Sequence, residues 1–430
     1  MAISVRTVAL LALGLIPVLL LPELGTVLTW LGLVVVLAVV DLVLAAPPRA
    51  LEIERRPLGS VRLTEPAESV LTVTNPSGRT MRALIRDAWQ PTAGNGPNRH
   101  RVTIPAGEAR RTRTALLPTR RGDLQADLVT VRSSGPLGLA ARQASITVPG
   151  HLRVLPEFRS RRHLPSRLAR LREMDGRSAV NVRGPGTEFD SLREYVIGDD
   201  VRAIDWRATA RRADVVVRTW RPERDRRVFM VLDLSRLSAV RLGEAPRLDA
   251  SIEAALLLAA LASKAGDRVE LVAIDRAVRA RVSGTHGPAI MAKMADALAP
   301  VHPTLVEPDW TAVTQVIRDR LSQRSLVVLL TALEPGAIDS GLAPVVAALS
   351  KDHQVVLASA TDPDTDLLRQ ARESSADLFD AAAAERGELE RRAVATRMRR
   401  VGAEVVERLP EDLAPALADT YLALKAAGRL

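Results

Sequence analysis

From Arg227 to the carboxyl terminus the chain alternates short, unbroken Val/Leu/Ile runs with longer stretches of helical character. Few folds accommodate that rhythm. Strands are expected at 228–233, 269–275, 278–282, 325–331, 353–359 and 403–408. Helices are expected near 248–265, 288–299, 309–322, 342–350, 365–375, 381–400 and 411–427. A strand apolar on both faces must be covered on both, and the helices between strands supply that cover. The sheet is therefore expected to be mainly parallel, in an α/β domain.

Residues Leu51 to Phe158 follow a different period. Segments such as LEIER (51–55), SVLTVTN (69–75), RALIRDAW (82–89), RTRTALL (111–117) and ADLVTVR (126–132) alternate apolar and polar residues. Turn chemistry separates them, at Asn75-Pro76-Ser77-Gly78, Gly94-Asn95-Gly96-Pro97, Pro105-Ala106-Gly107 and Arg121-Gly122-Asp123. This spacing predicts an antiparallel β-sandwich of immunoglobulin or fibronectin type. It contains no catalytic constellation, so a spacer or docking role is expected of it.

The first forty-six residues hold two apolar runs. Thr7 to Pro22 is uncharged, and Leu24 to Ala46 carries only Asp41. The second run is close to the roughly 20 residues that span a bilayer; the first is shorter and contains Pro17. A signal peptide is disfavoured, because no small-x-small site follows Pro22 and a second apolar run begins at once. A transmembrane helical hairpin is the better account. Arg6 precedes it, Arg49, Arg55 and Arg56 follow it, and its loop has no basic residue, so both ends are expected in the cytoplasm. Asp41 is expected at the interface or against the partner helix.

There is no cysteine, which excludes disulfides, thiolate zinc sites and cysteine nucleophiles. The net charge of +10 comes almost wholly from arginine. Arg159, Arg161, Arg162, Arg167, Arg170 and Arg172 make 159–185 a basic connector, expected to be a solvated linker; anionic headgroups or an acidic partner are the other readings. With no aromatic residues interleaved, no specific nucleic-acid partner is expected.

The connector leads into GTEFDSLREYVIGDDVRAIDWRATARRADVVVRTWRPE, Gly186 to Glu223, and then a strand ending at Asp233 in DLSRLS. GTEF, LREY, GDD, IDW and TAR, in that order, resemble the signature of the membrane-anchored domain of unknown function 58 family. The core of that family is a von Willebrand factor type A (vWA)-like fold. SSGPLGL at 133–139 is similar to the family's loop leading out of the preceding domain. The resemblance implies a doubly wound sheet with its ligand edge at the carboxyl ends of the strands. It also implies a MoxR-type AAA+ ATPase as partner, with the chain as a non-enzymatic scaffold or adaptor in envelope assembly at the bacterial plasma membrane. The expected domains are a helical hairpin at 1–48, a β-sandwich at 49–158, the connector and signature at 159–227, and the vWA-like domain at 228–430, the soluble parts cytoplasmic. Membrane lipid is the other partner.

An intact vWA metal site, by the same resemblance, takes Asp-x-Ser-x-Ser, a Thr and an Asp from three loops. Asp233 and Ser235 match; Leu237 replaces the second serine, and Ser238 is one residue out of register. The second loop, HPTLVEPDW (302–310), offers Thr304, Glu307 and Asp309, and Ala332 stands where the third-loop aspartate belongs. Two damaged loops leave too few oxygens for Mg²⁺. Neither a metal nor another cofactor is expected.

In the signature, Glu188, Glu194, Asp199, Asp200, Asp205 and Glu223 stand among Arg193, Arg202, Arg207, Arg211 and Arg212. No spacing singles out an acid–base pair, no nucleophile or histidine accompanies them, and RGPGTE (183–188) lacks the Lys-Ser/Thr of a phosphate loop. A charged network pinning the connector to the vWA-like domain is expected, with Tyr195 and Trp206 as core anchors. The alternatives are a recognition surface, a hydrolase built on Asp199, Asp200 and Asp205, and a metal-dependent ligand-binding domain.

Overall fold

The computed structural model describes the chain apart from residues 1, 95, 179–187, 197–198, 212–213, 222–225, 284–288 and 337–340. The chain divides into two compact units, Met1–Glu157 and Phe158–Leu430.

The first unit opens with a short strand β1 (Ala2–Ile3) and helices α1 (Val5–Leu13), α2 (Leu15–Leu20) and α3 (Leu24–Leu44). Only α3, among the described residues, is long and apolar enough to cross a membrane. The first apolar run does not form one long helix, because α1 and α2 meet at Gly14. That glycine is required: a Cβ there would lie 2.2 Å from the Trp30 ring. Trp30 Nε1 in turn donates to Leu10 O at 3.1 Å, fastening α3 to α1.

Eight strands follow: β2 (Glu52–Arg55), β3 (Ser60–Arg62), β4 (Ala67–Thr74), β5 (Met81–Trp89), β6 (Arg99–Ile104), β7 (Ala109–Leu116), β8 (Gly122–Ser134) and β9 (Ala140–Leu155). One sheet has the order β1-β9-β8-β5-β6, with β3 added in parallel along β9; the other is β2-β4-β7. Strand alternation turns Leu71 and Val73, Met81, Ala83 and Ile85, and Val129 and Val131 into a common core with Ile104 and Val148. The Arg55–Asp87 ion pair is buried in this unit. Arg55 holds Asp87 through two bonds of 2.8 and 3.0 Å, and Asp87 also accepts from Ser69 and Trp89.

Residues 133–139 do not lead out of this unit. They end β8 and turn it into β9, and Asp41 is docked on that turn. Fully buried, its carboxylate accepts the N–H groups of Leu137 and Leu139 at 2.7 Å and of Ala140 at 2.9 Å. From the other end of the helical segment, Thr7 Oγ1 donates to Leu139 O. A polar residue in a long apolar helix thus finds its partners in the backbone donors of a turn.

In the second unit, the basic stretch from Arg159 is folded, contrary to the linker expectation. A 3₁₀ turn (Arg159–His163) runs into α4 (Leu164–Ser178). Arg167 and Arg170 both reach Asp419, at 2.7 and 2.9 Å. The signature forms a small antiparallel pair, β10 (Glu188–Glu194) and β11 (Val216–Arg221), with the single-turn helix α5 (Trp206–Thr209) between them in sequence.

The α/β portion runs β12 (Arg227–Asp233), a two-residue hairpin β13 (Arg241–Leu242) and β14 (Ala245–Pro246), α6 (Arg247–Lys264), β15 (Arg268–Ile274), β16 (Val278–Val282), α7 (Ala289–Leu298), α8 (Trp310–Arg318), β17 (Leu326–Leu330), α9 (Leu342–Asp352), β18 (Gln354–Ala360), α10 (Pro363–Gln370), α11 (Ser375–Arg400), β19 (Glu404–Arg408) and α12 (Pro410–Ala426). The strands lie within a residue of their expected places. The helix expected at 365–375 instead ends at Gln370, and the next begins at Ser375, where a capping box formed by Ser374 and Asp377 starts α11. Sheet order is β16-β15-β12-β17-β18-β19, parallel throughout except for the edge strand β16. Phe229, Val231, Val327, Leu329, Val355 and Leu357 face α8, α9 and α11. The other sheet face is covered by α6 and α12.

Candidate functional site

Asp199, Asp200 and Asp205 find partners within the signature. Arg193 pairs with Asp199 at 2.6 Å, and the second oxygen of Asp199 accepts the Val196 N–H. Asp200 accepts the Arg202 N–H and so starts the turn Val201–Ala203. Asp205 caps α5, accepting from Arg207 N and Ala208 N, and meets Arg218 Nε at 2.8 Å. The Ala208 N–H, with Arg218 and Arg207 N–H adding to it, holds the Asp205 carboxyl below the usual carboxylate range. Backbone bonds close the module: Asp205 N–H to Val216 O and Tyr195 N–H to Val215 O.

Asp199 and Asp205 are therefore each answered by a nearby arginine, and Asp200 and Asp205 by a helix start. Two ion pairs among the described residues, Arg193–Asp199 and Arg218–Asp205, lie within the block. Trp206 is not a core anchor: it is 68% exposed, beside a module that also exposes Val196 and Val201, while Tyr195 is half-buried. Trp206 stands in the first turn of a four-residue helix too short to have a buried face. Arg211 is exposed. Glu188 sits in β10 opposite Arg221 of β11, and Arg212 and Glu223 lie outside the described residues.

The second candidate lies at the carboxyl ends of the parallel strands. Asp233, buried, accepts Ser235 N–H at 2.8 Å and the Thr331 hydroxyl at 2.6 Å. Burial pushes its carboxyl up, against the pull of those bonds and of the Arg247 charge. Next to it, Asp275 ends the neighbouring strand and is also buried. Burial opposes its ionisation, but the N–H groups of Ala277 and Arg276, with Arg279 and the Thr304 hydroxyl, outweigh that and hold its carboxyl below the usual range.

Sequence reasoning named Thr304 but missed Asp275 and Arg247. Asp275 had a readable signal, since it follows an apolar strand as Asp233 does. Arg247, at the start of α6, had none. Its buried guanidinium binds Leu237 O at 2.9 Å, Ala360 O at 3.2 Å and Glu334 at 2.7 Å, joining the segments that follow β12 and β17 to the last residue of β18. Glu307 pairs with Arg236, and Asp309 caps α8.

This donor set does not suit a hard divalent ion. Leu237 and Ala332 are buried apolar groups, both Asp233 oxygens are engaged, and a buried guanidinium already supplies positive charge. Among the described residues no three of His, Asp and Glu gather as a metal site.

Uncharacterized proteins of Mycobacterium tuberculosis (strain H37Rv) and Mycobacterium bovis are 26% identical to this chain over 189 residues, which is 42% of the chain and 57% of each relative. The chain thus spans little more than half the length of those relatives. Among solved structures, the PapD-like domain 7 of human CEP192 matches 25% of this chain and 85% of that one at 12% identity, with a TM-score of 0.20. A CARDB domain from Pyrococcus furiosus matches 27% and 92% at 14% identity, with a TM-score of 0.19. Likeness that slight bears on neither fold nor function. The family comparison is of another order: it runs from residue 191, inside the signature module, to residue 408, the last residue of the sixth sheet strand, and takes in half of the chain. The module of self-paired acids and the parallel sheet are thus matched as one continuous stretch, and the chain belongs to the family described as protein of unknown function DUF58.

Proposed function

We propose that the chain is a non-enzymatic, membrane-anchored docking protein. Its α/β portion is read as a vWA-like domain that works without a metal ion, and its partner as a MoxR-type AAA+ ATPase in assembly or maturation of envelope components. One observation carries this reading: Asp199, Asp200 and Asp205 are spent on local arginines and helix starts, while Trp206 stands exposed on the same module. A hydrolase would need the carboxylates of Asp199, Asp200 and Asp205 to converge on one point. Support for the vWA-like reading comes from the sheet order and from helices on both faces.

The membrane anchor is α3, paired with α1 and α2 as a hairpin. Thr7 and Asp41 both meet the β8–β9 turn, which favours both outer ends on one side of the membrane. The arginines flanking the segment favour the cytoplasmic side of the bacterial plasma membrane.

The test is co-purification of the full chain, in detergent, with a MoxR-type ATPase from the same cell. Trp206→Ser should abolish the complex while the variant melts like wild type. Equal recovery of the ATPase with both proteins would remove the module from the interface. Turnover lost on Asp199→Asn would reinstate the hydrolase.

A further inference from the structure

We infer that the outer face of the β1-β9-β8-β5-β6 sheet is a docking surface for anionic phospholipid headgroups; this rests on the membrane-anchored reading above. Arg82 and Arg86 of β5, Arg99 and Arg101 of β6, and Arg132 of β8 are all exposed. Their inward neighbours, Ala83, Ile85 and Val131, belong to the core, so the five share the opposite face.

Register makes them contiguous. Arg86 lies directly opposite Arg99, Leu84 has Arg101 on one side and Arg132 on the other, and Arg82 sits between Thr103 and Ser134. No carboxylate stands in these rows, which continue across β9 as Gln143 and Ser145. The nearest acid along β8 is Asp127, beyond at the bulge. Arg132 reaches Gln143 and Arg82 reaches Pro136 O, neither of which carries a charge. Like charges directly opposite across two strands destabilise the pair. An arrangement of that kind is relieved by an anionic surface.

The place of this face selects the anion. Arg82 bonds to Pro136, in the same turn that holds Asp41 of α3. Alongside, Arg142 Nε donates to Leu42 O at 2.9 Å and Arg79 to Val43 O at 3.1 Å, taking up the last carbonyls of the apolar helix. The cationic face therefore begins where the helix ends. At about 3.4 Å per residue, Arg86 lies roughly 14 Å further along β5. That keeps the patch within one or two Debye lengths of the headgroup layer. Each arginine near an anionic leaflet multiplies the surface affinity roughly fivefold. The face offers no aromatic side chain for stacking nucleic-acid bases.

The absence of cysteine allows a unique label, at Thr103→Cys. The full chain would be placed in nanodiscs of phosphatidylcholine, alone or mixed with phosphatidylglycerol, with a quencher carried on a headgroup. Quenching should be about threefold stronger with phosphatidylglycerol at low salt and should fall at high salt. It should be lost in Arg82→Glu/Arg86→Glu/Arg99→Glu/Arg101→Glu, and weakened in the milder set of Gln replacements if the reversal fails to fold. Co-flotation with liposomes tests the anchor separately. A chain that floats but shows equal quenching in both lipids overturns the headgroup surface, whereas a chain that does not float overturns the anchored reading. Tight binding of a short RNA to the chain in neutral nanodiscs, or displacement by inorganic phosphate beyond its effect as salt, would also overturn it.

Discussion

Asp41 Oδ2 accepts the backbone N–H of Leu139 at 2.7 Å, across ninety-eight residues of sequence. Through this bond and its neighbours the last turn of the apolar helix is fixed to the turn between two sandwich strands. Removing the carboxylate leaves the N–H groups of Leu137, Leu139 and Ala140 without it, in a buried site. With charge-assisted bonds worth about 1.5–3 kcal/mol each, Asp41→Ala should cost the first unit about 3 kcal/mol or more. A denaturant melt of the full chain in detergent measures this, and faster proteolysis near Pro47 should accompany it. An unchanged melt would mean that the helix is held by packing alone.

The Arg55–Asp87 pair, with side chains 3% and 0% exposed, supports a second prediction. Asp87→Ala strands a buried guanidinium and should destabilise the sandwich by about 3–5 kcal/mol. The double replacement Arg55→Met/Asp87→Leu should recover most of that, since an apolar pair leaves no buried charge. If the double variant were as unstable as the single one, packing of Arg55 on Trp89 would be the larger effect.

Asp233 and Asp275 should respond to pH in opposite senses. Asp275 has its folded carboxyl depressed, so its contribution is present above the ordinary carboxylate value and is lost as pH falls through the folded value. Asp275→Asn should therefore lower the melting temperature at pH 7, with the difference shrinking below about pH 4. Asp233 has its folded carboxyl raised, so its contribution favours folding at low pH and is lost as pH rises through the folded value. Asp233→Asn should cost little at pH 7. Thermal melts of both variants from acid to neutral pH would show this, and parallel curves would contradict it.

In the signature module, Trp206→Ser should change stability by no more than about 0.5 kcal/mol, because the ring packs against little. Asp205→Ala should act locally, unwinding α5 and speeding amide exchange at Arg207 and Ala208, whose N–H groups it holds. The Asp205–Arg218 pair is partly exposed, so the large penalty of a buried pair does not apply. Global unfolding of Asp205→Ala would show that the module supports the α/β sheet.

Titration with Mg²⁺ or Mn²⁺ should leave the melting temperature of the full chain unchanged. A rise of several degrees, abolished by Asp233→Ala, would mean that Thr304, Asp275 or Thr331 has been recruited as a ligand.

Local pattern decided much of this protein. Period and turn residues located every strand of the parallel sheet and β2, β4, β5, β7 and β8 of the sandwich, though not β3, β6 or β9, since a two-residue alternation or an unbroken Val/Leu run follows from which faces must be buried. Leu237 and Ala332 set the expectation of no bound metal, because by the family resemblance each stands where an oxygen ligand belongs. What no pattern disclosed is which polar groups meet. Asp41 and the 137–140 backbone, Arg247 and three strand ends, and the arginine face of β5, β6 and β8 are joined across sequence separations that periodicity does not span. Trp206 shows the reverse error, where residue type suggested a core position and the shortness of α5 left the ring outside. Burial of apolar side chains is written residue by residue in the chain, whereas a hydrogen bond or an ion pair needs two partners. Only the fold decides which two arrive at the same place.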